Sequence, residues 1–455
     1  MEMNMIKGLI NKIKERELIK RIFKNTGWIL TQHMVNLILG LLVNAIIARY
    51  YGAEKFGVFS YVLSITSLFS GLAAFGIHHI AIKDLKCNPE KEGQILGTSF
   101  SIRIALSLIL LTLADVTVYL LSGADKTMTI IAMLLSSMMI FNSFEVIDYY
   151  INSKMKVKYS VISKIIAIIS ISALKMLIVI FDLAIEYYAV MYLIEVIIYA
   201  IGLCVSYKII KKQDDEKIKW TFDRGYAKEL LGKSWYFALS SIMVTIYMKI
   251  DQAMLGTIIE DKSQVGIYSA AVRIAEMWAV VPIAIITAIK PAIIEQKNTD
   301  EVKYKDSLNK LYYVISGICI IFALGITIFS KLIIYILYGT EFMAASSILY
   351  ILVIGTWFGM LGNVHYVWMV CEDKAKYSMF YSFVGSASNI IINLILMPQY
   401  GALGAAIATL ISQILANVFS FAVFKETRIL TIHALKAIFM IDFFKDIRRK
   451  ISVNN

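Results

Sequence analysis

Apolar runs of about 20 residues recur along the chain, each closed by a short polar segment, and each is long enough to cross a bilayer as a helix. The pattern predicts twelve spans, near 26–48, 57–82, 96–122, 128–151, 160–182, 187–207, 234–257, 265–289, 311–329, 345–370, 376–397 and 402–424. The longest polar interruption, 208–233, contains KKQDDEKIK and divides the spans six and six. The two halves echo each other. Trp28 precedes Gly57-Val-Phe-Ser60 by a spacing close to that by which Trp235 precedes Gly266-Ile-Tyr-Ser269. An even number of spans per half makes such repeats parallel, related by an axis along the membrane normal. The expected fold is an all-α integral membrane protein, with about 12 transmembrane helices in two six-helix bundles around a central cleft. The expected segments are a basic cytoplasmic start (1–24), an N-terminal bundle (25–207), a cytoplasmic linker (208–233), a C-terminal bundle (234–424) and a basic cytoplasmic tail (425–455).

Polar residues inside the spans are the exceptions that need explaining. Between Lys233 and Pro291, Lys249 and Asp251 interrupt one span, Arg273 and Glu276 another, and Lys290-Pro291 closes the pair. Each charge at a helix centre costs roughly 2.5 to 3.5 kcal/mol, so they must face protein, water or a ligand. Arg273 and Glu276, three apart, share a helix face and can pair. Polar stripes at helical spacing appear elsewhere: His33, Asn36, Gly40 and Asn44; Ser60, Ser64, Ser67 and Gly71; Asn142, Glu145, Asp148 and Asn152; Ser378, Ser382, Gly385, Asn389 and Asn393. Small and amide residues also glue membrane helices together, so a single stripe is explained by packing. Stripes in both halves, together with charges, favour a hydrated cavity. Ser99, Arg103 and Ser107 share a face of the third span, as Lys164 and Lys175 do of the fifth; Arg103 and Lys175 could instead snorkel toward the interfaces.

Composition agrees with this pattern. Of 455 residues, 59% are hydrophobic and 17% charged, against about 45–50% and about 25% in soluble proteins. The net charge of +12 is a topology signal: of 45 Lys and Arg, 34 fall in segments on the side of both termini, five on the other side and six within spans. The positive-inside rule therefore places both termini in the cytoplasm, and no nucleic acid is needed to explain the basic balance. Residues 1–24 lack the apolar core and cleavage site of a secretory signal, so no processing is expected; Ile6, Leu9, Ile10 and Ile13 among lysines suggest a surface helix instead. Residues 433–450 read as a second surface helix or a partial span, the short apolar run and closing Arg448-Arg449-Lys450 favouring the surface. The four cysteines are scattered, and neither a disulfide nor a metal site is indicated. No phosphate loop, nucleophile constellation or selectivity filter appears, so the chain is read as a non-enzymatic transporter without a cofactor. The largest extracytoplasmic loop, Ser330 to Ala344, is about fifteen residues, too small for a polymerase or ligase that works through an outer loop.

Several strings then carry a resemblance. Ala48-Arg49-Tyr50-Tyr51-Gly52 with Phe56-Gly57, Asp251-Gln252 with Leu255-Gly256, Gly266-Ile-Tyr-Ser-Ala-Ala271 with Arg273, Tyr338-Gly339-Thr-Glu-Phe342, and Pro398-Gln-Tyr-Gly401-Ala-Leu-Gly404-Ala-Ala406 resemble the polysaccharide and O-antigen flippases of the multidrug/oligosaccharidyl-lipid/polysaccharide exporter superfamily. The resemblance covers about residues 25–425 and implies a V-shaped twelve-helix transporter of the bacterial inner membrane. Such a protein moves undecaprenyl-diphosphate-linked repeat units of O-antigen, capsule or exopolysaccharide to the outer leaflet by alternating access. Its implied partners are that lipid-linked oligosaccharide, membrane lipid and the polysaccharide polymerase of the same pathway. Arg49, Asp251 and Arg273 stand at positions the family pattern also marks.

On charge, a cationic cleft of Lys249 and Arg273 with Arg49, Arg103 and Lys175 is expected to hold the diphosphate. His33, Asn36, Asn44, Asn142 and Asn389 are expected to line it. Asp251, Glu276, Glu145 and Asp148 are candidates for coupling to a proton or sodium gradient. The alternative is an ion-coupled multidrug or small-molecule exporter of the same superfamily, which an acidic cleft would favour. A major-facilitator transporter is disfavoured because 83–94 reads KDLKCNPEKEGQ. A membrane glycosyltransferase would have only Glu341 as an outer-loop acid.

Overall fold

The computed structural model describes the backbone of residues 2–214, 219–374 and 377–441, and the side chains of these except 2–24, 213–214 and 240. The described residues are helical throughout, with no strand. The helices are α1 (Glu2–Ala74), α2 (Ile77–Cys87), α3 (Glu92–Leu121), α4 (Lys126–Asn142), α5 (Val146–Ser153), α6 (Lys158–Ile180), α7 (Ile185–Asp214), α8 (Arg224–Ile258), α9 (Ser263–Trp278), α10 (Val280–Thr299), α11 (Glu301–Tyr338), α12 (Ala345–Cys371), α13 (Ser378–Ile414) and α14 (Arg428–Ile438). Among the described residues, nine stretches are long and apolar enough to cross a membrane. Two of them, Asn25–Cys87 and Ser378–Ala422, each contain two of the expected spans, and the span expected at 234–257 lies in α8. A count of about twelve is consistent with this arrangement. The backbone of 2–24 is helical as the start of α1, while the side chains of 2–24 and the residues from 442 onward, which include half of the segment expected at 433–450, lie outside the description. Within the described residues this segment begins in α14, which starts at Arg428, five residues before the expected helix.

Three expected boundaries change, each for a local reason. The span expected at 57–82 is broken after Ala74, where Phe75 (φ 47°) and Gly76 (φ 61°) take the left-handed conformation and end the helix. The span expected at 128–151 is interrupted by a 3₁₀ turn at Ser143–Glu145. The outer loop expected at 330–344 is mostly helix: α11 runs to Tyr338, Gly339 turns the chain at φ 86°, and a 3₁₀ turn follows at Thr340–Phe342. At 38 residues, α11 is about 57 Å long, well beyond a hydrocarbon core of about 30 Å. Its start is fixed by Asp300, whose side chain accepts from the Lys303 backbone N–H at 3.0 Å.

The chain forms two compact units, one of residues 1–47 and 65–242, the other of 48–64 and 243–455. In the first unit, Ile77, Leu85, Leu96, Val146, Tyr150, Leu203, Ile210 and Leu230 form one buried cluster from α2, α3, α5, α7 and the start of α8. The opposite faces carry exposed Leu108, Ile109, Leu113, Val116 and Leu120, as expected of helices whose outer solvent is lipid. The end of the linker is docked on this unit. Thr221 N–H donates to the Gly93 carbonyl (3.1 Å), Asp223 N–H to Thr98 Oγ1 (2.9 Å), Trp220 Nε1 to the Tyr207 hydroxyl (3.1 Å) and the Tyr226 hydroxyl to Asp84 Oδ2 (2.9 Å). A buried ion pair, Lys211 Nζ to Glu92 Oε1 at 2.7 Å, lies beside them.

In the second unit the two echoing strings meet. A Cβ on Gly57 would strike the Lys262 carbonyl, and one on Gly266 would strike the Ala53 carbonyl. Each glycine thus faces the carbonyl four residues before the other, a reciprocal contact that only a residue without a side chain permits. Nearby, α1 bends at Gly52 (φ 76°), where a Cβ would lie 2.8 Å from a Glu341 carboxylate oxygen. The freed Ala53 N–H donates to Glu341 Oε1 at 2.7 Å, so the acid answers a donor that the bend leaves without a helical acceptor.

Candidate functional site

Asp251 of α8 lies inside the second unit, 6% exposed. Its Oδ2 accepts from the Tyr268 hydroxyl of α9 (2.7 Å) and from Thr409 Oγ1 of α13 (2.5 Å), and its Oδ1 accepts from Asn393 Nδ2 (2.6 Å). Asn393 Nδ2 also reaches Asn389 Oδ1 at 3.1 Å. Every partner is neutral, and no basic group is paired with the carboxylate among the described residues. Asn393 Oδ1 and the Tyr247 hydroxyl are buried without partners among the described residues. Buried polar atoms of this kind are rarely left unpaired unless something else pairs with them. The donors are oxygens of a carboxylate, amides and hydroxyls, the set that suits a hard cation or a proton.

The first unit holds charges of the other sign. Arg103 of α3 is 4% exposed; its Nη2 meets Glu145 Oε2 at 3.0 Å and its Nη1 donates to the Tyr149 hydroxyl at 2.5 Å. Two of the five anion-binding candidates are therefore distinguished by their partners. Arg103 is already committed to an acid, and Glu145, a coupling candidate, is that acid. Lys175 of α6 is buried beside the rings of Tyr188 and Tyr192 of α7. The Tyr188 hydroxyl donates to Asn44 Oδ1, and Asn44 Nδ2 donates to the Gly40 carbonyl at 2.5 Å.

The remaining candidates are dispersed. Arg49 is exposed and stands beside Gly339; Lys249 and Arg273 are half-buried in α8 and α9; Glu276 is exposed. Among the described residues Lys249 has neither an ion pair nor a hydrogen bond. His33 and Asn36 are exposed, so only Asn44 of their stripe is buried, while Asn142 and Asp148 are half-buried. Asn389 belongs to the Asp251 cluster. Sequence reasoning missed Tyr268, Thr409, Tyr149, Tyr188 and Tyr192. Tyr188 and Tyr192, four apart on one helix face, carried a signal that could have been used.

The model of the family described as polysaccharide biosynthesis protein matches residues 22–297, more than half of the chain. The chain belongs to the polysaccharide biosynthesis protein family. A second model, MatE, matches residues 237–395. A Haloferax volcanii protein named as a low-salt glycan biosynthesis flippase is 28% identical over 190 residues, 41% of this chain. The chain's match spans only 39% of that relative's length. A Shigella flexneri protein named as an O-antigen transporter is 24% identical over 87% of this chain and 95% of its own length. Among solved structures, the lipid II flippase MurJ in an inward closed conformation aligns with TM-score 0.66 and 18% identity, covering 92% of this chain and 91% of that one. An inward-facing multidrug resistance MATE family transporter aligns with TM-score 0.60 and 15% identity over 91% of this chain and 96% of that one. Family and fold together make this a multi-pass membrane protein of the superfamily that contains both polysaccharide flippases and MATE exporters.

Proposed function

We propose that the protein is a flippase for a lipid-linked oligosaccharide, moving undecaprenyl-diphosphate-linked repeat units of a surface polysaccharide from the inner to the outer leaflet of the cytoplasmic membrane by alternating access. Its strongest support is the family match over 22–297. The named roles of the two relatives point the same way. The charge bias of the loops supports placing both termini in the cytoplasm. A reporter fused to either end, active only outside the cytoplasm, is expected to stay silent.

Electrostatics favour the proposed direction. A diphosphate of about −2 crossing about 100 mV, negative inside, gains roughly 4.6 kcal/mol on export. Lys249, charged in a membrane helix and without an ion pair or hydrogen bond among the described residues, is the first residue we assign to that headgroup, together with Arg273 of α9. The Lys249→Ala, Arg273→Ala double variant is expected to insert and accumulate yet lose export; full export would remove the cationic assignment.

The coupling ion, in this account, is taken at Asp251. A proton or a sodium ion would be held by the Asp251 carboxylate with oxygens of Asn389, Asn393, Thr409 and Tyr268, and it would neutralise a carboxylate that no basic residue among the described ones neutralises. The multidrug alternative remains a specific outcome. Cells carrying the chain would then become resistant to cationic drugs without change in their lipid-linked sugars.

A further inference from the structure

Lys175 and Lys164 lie eleven residues apart on α6, close to three turns, and each places its ammonium over tyrosine rings of α7. Lys164 Nζ sits 4.8 Å from the Tyr199 ring centroid, and Glu195 Oε1 completes its site at 3.4 Å. Lys175 Nζ sits 4.1 Å from the Tyr192 centroid and 5.3 Å from that of Tyr188. It has no acid. Following the antiparallel register that pairs 164 with 199 and 175 with 188, the place of Glu195 falls at Ala184, the residue just before α7 begins. The more buried of the two lysines, 6% exposed, is thus the one without a carboxylate. Ring faces attract the charge, but they do not replace the acceptors that three ammonium N–H groups need. Asn44, held by the Tyr188 hydroxyl, adds an amide beside the same rings.

We propose that Lys175, Tyr188, Tyr192 and Asn44 form a subsite in the first unit for an acidic sugar of the cargo, whose carboxylate or monoanionic phosphate occupies the place that Glu195 holds at Lys164. The proposal rests on the flippase reading. A single lysine with neutral neighbours matches a single negative charge. A diphosphate would call for more cation, and the other buried candidate in this unit, Arg103, is already paired with Glu145. The two aromatic faces and the amide give a sugar ring apolar and hydrogen-bonding surfaces at once.

The test is calorimetric titration of the purified full-length protein with D-glucuronate, D-glucose and inorganic pyrophosphate. Glucuronate is expected to bind the wild type and to weaken at least roughly tenfold in Lys175→Gln, the scale of one lost charge-assisted contact, while pyrophosphate binding is unchanged. Ala184→Glu is expected to fold, to pair with Lys175 internally and to abolish glucuronate binding, which covers the case in which Lys175→Gln misfolds. The proposal is overturned if glucuronate fails to bind the wild type, binds no better than glucose, or survives both substitutions. It is also overturned if pyrophosphate binding is the one that depends on Lys175. A companion assay in proteoliposomes separates the two readings. Transport of a neutral lipid-linked oligosaccharide that is indifferent to Lys175→Gln leaves both intact, whereas a wild-type protein that moves no lipid-linked oligosaccharide defeats the flippase reading whatever glucuronate does.

Discussion

Asp251 and Lys175 are both single charges buried in membrane helices, yet the protein treats them in opposite ways. Around Asp251 three neutral donors from α9 and α13 converge on the carboxylate, and the cost of burial is met by hydrogen bonds. Around Lys175 the protein supplies ring faces, and no acid is paired with it among the described residues. In the proposed function the difference separates two tasks. A carboxylate surrounded by neutral oxygens and amides can gain or lose a small cation with little rearrangement. In the proposed function, an ammonium with no acid among the described residues takes an anion that comes with the cargo. Arg103 provides the control, a buried cation in the same unit as Lys175 whose charge is met by an acid of the protein.

Substitutions can break this comparison in descending order of effect. Asp251→Asn keeps size but removes the charge and turns one accepting oxygen into a donor; transport in proteoliposomes is expected to fall by at least roughly tenfold and to lose its dependence on an imposed ion gradient, with the protein still accumulating. Unaltered gradient dependence would exclude Asp251 as the coupling group. Gly57→Leu should be the most damaging change to structure, because its side chain must displace the Lys262 carbonyl; overpacking of this kind costs about 1–3 kcal/mol and is measured as a lower thermal midpoint in detergent. Arg103→Met removes the bonds to Glu145 and Tyr149 and should cost about 2 kcal/mol, while Arg103→Lys recovers only part because the forked geometry is lost. A loss of cargo binding with unchanged stability in Arg103→Met would instead return Arg103 to the anion-binding set.

The smallest effect is expected where the linker docks. Tyr226→Phe removes the bond to Asp84 and should cost about 1 kcal/mol. Burial, and then the neighbouring Asp84 carboxylate, raise the Tyr226 phenol above its ordinary range. The donor is the neutral form, so this contribution is complete below the unfolded phenol's pKa, near 10, and is lost only as pH rises further, through the folded pKa. Stability curves of wild type and Tyr226→Phe should therefore run parallel from pH 6 to 9 and draw together only in strong alkali.

What could be read from the chain followed from the physics of the bilayer. Apolar runs marked the spans, and a charge inside such a run, as at Asp251, marked itself because lipid would not tolerate it. The partners were less legible. Tyr268 and Thr409 are single polar residues in apolar surroundings, with no periodic signal, and Arg103 meets Glu145 across 42 residues of sequence. The stripe from Ser378 to Asn393 did announce a polar face, and Asn389 and Asn393 are where that face meets Asp251. Helix ends were misplaced at Gly76 and Gly339, where one left-handed residue outweighs the hydrophobicity on either side. The echo of Gly57 and Gly266 proved to have a physical content the sequence could only hint at, since the two glycines touch each other's helix backbone.

The most direct test of the central claim is mass spectrometry of lipid-linked oligosaccharides extracted from cells with and without this chain. The account predicts that loss of the protein causes an undecaprenyl-diphosphate-linked oligosaccharide to accumulate, and its mass will also reveal whether an acidic sugar is present. Unchanged lipid pools, accompanied by altered sensitivity to cationic drugs, would contradict it.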